Sequence, residues 1–210
     1  MNPVVADERA RAVYLGFLAS SAAGLLVWAL TRKTARVFAT SALVCPGCVA
    51  DLAAQLPASS EDEFILAAWD LAGTGIGYEP VGSHLDFTDS TVSCERCLLP
   101  RETLTRGVAN CVGHAALLAS LLRYRLPADR VLMAVGQLAT DGVGGHAWAE
   151  VFRQGQWYIL ESTKGPGPWV PASAVSSLYI PEILFNDETV LCNTPSLCLD
   201  IGDCHECLPL

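Results

Sequence analysis

Positive charge is scarce in this sequence. Its 210 residues carry 13 Lys and Arg against 22 Asp and Glu, a formal net charge of −9. Beyond Arg32, Lys33 and Arg36 there is no basic cluster. Nothing would neutralise a row of phosphates, so nucleic-acid binding is excluded. Internal repeats and low-complexity tracts are also missing. The length then fits one domain with a real core plus an extra element, and hardly two full domains. Charged residues are only 17% of the chain, while 51% is hydrophobic. That composition is apolar for a soluble protein but not that of a multi-span membrane protein.

Cysteine, by contrast, is abundant, and its count is odd. Six of the nine form CxxC pairs: Cys45/Cys48, Cys94/Cys97 and Cys204/Cys207. Cys192 and Cys198 stand shortly before the last pair, and Cys111 is alone. Eight paired cysteines and one single one is the arithmetic of stapling sites plus a reactive thiol. Thiolates two residues apart suit Zn²⁺. Cys45, Cys48, Cys94 and Cys97 would make one Cys₄ site, and Cys192, Cys198, Cys204 and Cys207 a second. An iron–sulfur cluster uses the same ligands and is the lesser metal reading. Disulfides are the alternative for every pair. CPGC also has the form of a thioredoxin-type redox motif, but the βαβ context is missing.

Residues 12–31 contain no charge, a length that can span a bilayer. The same stretch also fits a buried helix at a domain or assembly interface, and both readings stay open. On this basis the protein is membrane-associated or part of a larger assembly, and otherwise cytoplasmic. Residues 45–56 read as a turn opening a helix, and residues 62–71 as a helix with acidic residues at its start. A short strand is expected over 76–78. Residues 82–100 read as an irregular loop pinned by its cysteines. A helix with a wide apolar face (Ala115, Leu118, Ala119, Leu121, Leu122) follows Cys111 and ends before Pro127. Strands are expected over 131–138, 146–152 and 156–163, joined by turns at 141–145 and 153–155. A helix feeding an antiparallel meander is an α+β arrangement. The domain plan is residues 1–60 for the apolar helix and CPGC segment, 61–185 for the α+β domain, and 186–210 for a Cys-rich tail.

Cys111 lies at the start of the long helix, where unpaired amides and positive potential stabilise a thiolate and can donate to an oxyanion. His146 is expected at the first position of its strand, behind a Gly-Gly turn that lets the imidazole project past the sheet edge. With Gln154 and Gly155 as the next turn, Trp148 faces Glu161 and His146 faces Thr163. Glu161 is then a diagonal neighbour of His146 on one face, within reach of a long side chain. That spacing offers a Cys-His-acid triad. Asn110 and Tyr78 are candidates for a second oxyanion donor. His114 follows Cys111 by three residues and reads as packing, because it points along the helix.

The motifs ETLTRGVANCVGHAALLASLLR, GGHAWAEVF and WYILEST, in that order, resemble the transglutaminase-like superfamily of papain-type folds. The resemblance covers roughly residues 64–165. It implies a catalytic Cys at a helix N-terminus packed on an antiparallel sheet. Cys111 would be the nucleophile, His146 the general base and acid, and Glu161 the orienting acid, where the family usually has Asp. It implies a cysteine hydrolase or acyl transferase with thiolate attack on a peptide or isopeptide carboxamide of a peptide or protein, a thioester intermediate, no cofactor for that chemistry, and peptidase or amidase activity before cross-linking. Two other functions remain as alternatives. One is a non-catalytic structural subunit that keeps the fold, and the other is a metal or redox protein working through its CxxC pairs.

Overall fold

The computed structural model describes residues 36–80, 85–88, 91–94, 97–139, 143–192 and 206–207. Strand β1 (Arg36–Ala39) runs into the short helix α1 (Thr40–Leu43). A 3₁₀ turn (Pro46–Val49) and α2 (Ala50–Ala53) follow. The segment is bound into the core by Leu43, Val44, Val49 and Ala53, all buried.

Helix α3 (Glu61–Gly73) has the start signals its sequence promised. Ser60 caps it by accepting a hydrogen bond from the Glu63 amide at 3.1 Å, and Glu61, Asp62 and Glu63 fill its first turn. Its buried residues are Phe64, Ile65, Ala68, Trp69 and Ala72, which is one face at helical spacing. Strand β2 (Gly77–Tyr78) then pairs in parallel with β5 (Val108–Ala109). Between them stand β3 (Leu85–Thr88), β4 (Thr91–Cys94) and helix α4 (Pro100–Arg106). The stretch expected as an irregular loop is therefore partly a hairpin: β3 pairs with β4, which also pairs with β1. Four-residue strands of mixed polarity leave too short a pattern to read as period two.

Helix α5 (Cys111–Arg123) is buried on every side, from Cys111 through Leu122. It lies against a seven-stranded sheet in the order β12-β11-β10-β6-β7-β8-β9. The central strands are β6 (Val131–Ala139) and β7 (Val143–Arg153). On one flank lie β8 (Gln156–Leu160) and β9 (Val170–Pro171). On the other lie β10 (Tyr179–Phe185), β11 (Val190–Cys192) and β12 (Glu206–Cys207). Every pairing in this sheet is antiparallel except β11 with β12. Alternation along the strands makes two cores. Val131, Met133, Val135, Ala147, Ala149, Val151 and Leu160 join the helices. Leu132, Ala134, Trp148, Ile159 and Leu184 form a cluster on the opposite face.

The hairpin register between β7 and β8 is the expected one, with Arg153 opposite Gln156 and Ala149 opposite Leu160. Gln154 (φ 49°) and Gly155 (φ 82°) make the turn, both with the positive φ that a tight two-residue hairpin needs. The strand start is different. Gly144 and Gly145 are not a turn; they pair with Leu138 and Gln137, and β7 begins at Val143. His146 is thus an interior strand residue opposite Gly136. Glycine pairs punctuate most chains, but here the ladder runs through them.

Among the described residues no helix is long and apolar enough to cross a membrane. Residues 12–31 lie outside the described residues, as do most of the expected Cys-rich tail and the side chains of Cys94, Cys192, Cys198, Cys204 and Cys207.

Candidate active site

Asn110 caps α5, its Oδ1 accepting from the Gly113 amide at 3.2 Å, so Cys111 is the first helical residue. The thiol is free and 6% exposed. Gly113 lets α4 and the β5 strand approach this first turn, because a Cβ there would press on Ala109 Cβ and Thr103 Oγ1. One turn along, His114 is fully buried, with Nδ1 2.7 Å from the Ala72 carbonyl oxygen and 3.2 Å from that of Ser162. Its Nε2 lies 3.3 Å from the Gly77 carbonyl oxygen. This histidine is occupied by backbone, in keeping with a packing role. It ties α5 to the end of α3, to β2 and to the segment after β8.

His146 is 9% exposed. Its Nε2 lies 2.9 Å from Glu161 Oε2, and facing a carboxylate this nitrogen carries its hydrogen and donates. Cys111 also acts on the ring, favouring its charged form. Burial alone would lower the imidazole's pKa. The hydrogen bonds to Cys111 and Glu161, with their charges, outweigh it and raise the value to about 9. Burial likewise opposes ionisation of Glu161, but His146 and the Thr163 hydrogen bonds hold its carboxyl down at about 2. An imidazolium and a carboxylate are therefore the forms present at neutral pH.

Glu161 follows directly on β8, and its backbone carbonyl accepts from Trp69 Nε1 at 2.9 Å. All of its side-chain acceptor capacity is directed. Oε2 accepts from His146 Nε2 and from the Tyr179 hydroxyl at 2.8 Å. Oε1 accepts from the Thr163 amide at 3.1 Å and the Thr163 hydroxyl at 2.6 Å. Burial, then the charge of Glu161 and its hydrogen bond, keeps the Tyr179 phenol protonated far above its ordinary range. Behind His146, Trp148 stacks on the imidazole at 6.2 Å with a 22° interplanar angle, and donates from Nε1 to Glu150 at 2.9 Å. Glu150 is raised by its burial, against the pull of that bond.

The structure thus brings His146 and Glu161 into direct hydrogen bonding, with the free Cys111 among the groups that act on the His146 ring. Of the oxyanion candidates, Tyr78 is 51% exposed and leans on His114 at 5.8 Å. Its phenol is raised by burial and by the charges of Cys111 and Glu161, which places it in their field. Asn110 has spent its oxygen on the cap, and its Nδ2 is buried with no partner, so it does not face an open cleft. Tyr179, Thr163 and Trp69 were not singled out in the sequence. Thr163 alone had a signal there, as the residue set opposite His146.

The expected zinc ligands behave differently. Cys45 and Cys48 are joined as a disulfide, with Cα atoms 5.3 Å apart, and Cys97 is disulfide-bonded too. Cys45, Cys48 and Cys97 thus take the disulfide alternative in this structure. Among the described residues no group of three or more His, Cys, Asp or Glu is arranged to hold a metal ion.

A buried helix headed by a free cysteine and packed on an antiparallel sheet makes this a mixed α+β fold. The model of the transglutaminase-like superfamily matches residues 52–162, more than half of the chain, and the chain belongs to that superfamily. Among solved structures, LapG from Legionella pneumophila is similar at 18% identity, over 67% of this chain and 73% of LapG, with a TM-score of 0.50. The EGTA-treated form of the same protein matches at 17% identity over 69% and 73%, again with a TM-score of 0.50. A candidate cysteine protease from Cytophaga hutchinsonii aligns at 15% identity over 69% of this chain and 48% of its own, with a TM-score of 0.44. No curated protein matches the chain.

Proposed function

We propose that the protein is a cysteine peptidase or amidase of the transglutaminase-like type, acting on a peptide or protein carboxamide. Cys111 is the nucleophile, His146 the acid and base, and Glu161 the group that orients the imidazole. The Cys111 thiolate attacks the carbonyl carbon, and the electron pair of the C=O bond moves onto oxygen. Amides at the start of α5, with the Tyr78 hydroxyl, donate to that oxyanion. As the tetrahedral intermediate collapses, the C–N bond breaks and the His146 imidazolium gives its proton to the leaving amine. The neutral imidazole then takes a proton from water, whose oxygen attacks the thioester. The C–S bond breaks, and the acid product leaves with the thiolate and imidazolium restored.

The observation that carries this reading is the 2.9 Å bond from His146 Nε2 to Glu161, with a free Cys111 at the head of α5 among the groups that raise the imidazole's pKa. Membership of the superfamily supports it. The test is to expose the protein to a peptide library at neutral pH and follow new termini by mass spectrometry. Cleavage is expected from the native chain and none from Cys111→Ala. Alkylation of Cys111 by iodoacetamide should stop it. Undiminished cleavage by the alkylated protein, or a Cys111 that no reagent reaches in the folded state, would overturn the proposal.

A further inference from the structure

We propose that Tyr179 is a positioning residue of this site, its hydroxyl holding the Glu161 carboxylate against His146. The inference rests on the triad reading above and adds a member that lies outside the residues matched by the superfamily model.

The need for such a residue follows from the side chain at position 161. A glutamate has one more rotatable bond than an aspartate, and so more ways to turn away from its partner. Space for that exists: Glu161 and Tyr179 line a cavity of about 290 Å³ shared with Trp69, Ile159, Val175 and Leu178. The Thr163 bonds hold Oε1, but Thr163 is two residues away in the same loop and moves with it. Neither bond refers the carboxylate to the strand that carries His146.

Tyr179 does. It pairs with Leu138 of β6, and two residues along that strand Gly136 pairs with His146. The Leu178 carbonyl just before it accepts from the Ala139 amide at 2.9 Å. The Tyr179 ring is set edge-on to Trp148 at 5.2 Å and 73°, and lies 6.3 Å from the His146 ring. The hydroxyl and the imidazole are therefore placed by the same sheet, and both donate to one oxygen, Glu161 Oε2. A carboxylate oxygen with two convergent donors on a shared frame has one favoured position.

The test is a double-mutant cycle on the full chain, reading the second-order rate of iodoacetamide labelling at Cys111 at neutral pH. Tyr179→Phe removes one hydroxyl and is expected to slow labelling ~10-fold, about one net hydrogen bond to a charged group. Glu161→Ala slows it more, and adding Tyr179→Phe to Glu161→Ala should cost nothing further. Tyr179→Phe labelling at the native rate would overturn the proposal. So would an equal loss in both backgrounds, because Tyr179 would then act elsewhere. A native-rate Glu161→Ala would bring down the triad reading itself, and this proposal with it. Near-UV circular dichroism accompanies each variant; a lost tertiary spectrum for Tyr179→Phe would make the hydroxyl a folding requirement and overturn the positioning role.

Discussion

At the scale of single residues, the unusual choice is glutamate as the proposed orienting acid. The sequence placed Glu161 one diagonal step from His146, and the geometry is reached because β8 stops at Leu160 and releases Glu161 from the ladder. The charge state has a definite pH window. His146 is raised from 6.5 to about 9, so its contribution to folding is full below 6.5 and fades as pH rises through 9. Glu161 is lowered from 4.5 to about 2, so its contribution is full above 4.5 and is lost as pH falls through 2. The Glu161→Gln variant keeps the shape but removes the charge. Its His146 titration, followed by NMR of the imidazole carbon-bound protons, should move down from about 9, and the alkaline limit of activity should follow it. An unmoved midpoint would show that Cys111 alone holds the imidazolium.

At the scale of elements, the legible parts were those with strong local periodicity or turn chemistry. Helices α3 and α5 and the Gln154–Gly155 turn needed no tertiary information. The misread parts depended on partners far along the chain. Gly144 and Gly145 punctuate like a turn, yet β6 extends the ladder across them. Strand β10 was not legible because Pro181 interrupts it. The strand tolerates Pro181 because β11 pairs only with Ile183–Phe185 and the β6 pairing shifts register at that point. Tyr179 was hidden with the strand that carries it. Gly136 is what lets β10 come so near, since a Cβ there would overlap the Ile180 carbonyl oxygen. Gly136→Ala should therefore displace β10, cost roughly 1–3 kcal/mol in urea unfolding, and slow Cys111 labelling through Tyr179. Gly145→Ala is the control: a Cβ there meets nothing within 4 Å, and both readouts should stay native. Equal behaviour of the two variants would refute the close-approach account.

At the scale of the whole described domain, α5 is both part of the core and the carrier of the proposed nucleophile, so its two ends do different jobs. The first turn presents Cys111. Further along, Ser120 Oγ accepts from the Cys45 amide at 2.9 Å, about 13 Å up the helix from Cys111 at 1.5 Å per residue. At the C-terminal end, Arg123 is gripped by Asp187 at 2.6 Å and Glu188 at 2.7 Å. The Cys45–Cys48 disulfide thus braces the helix away from the chemistry. Closing so short a loop restricts the unfolded chain modestly, roughly 2 kcal/mol in the chain-entropy view. Replacing both with serine should lower the unfolding free energy measured in urea by that order while leaving the labelling rate of Cys111 native. The contrast separates the two uses of cysteine that the sequence could only count. If the paired substitution slowed Cys111 labelling as much as Glu161→Ala does, the two ends of α5 would not be independent, and the brace would belong to the active site.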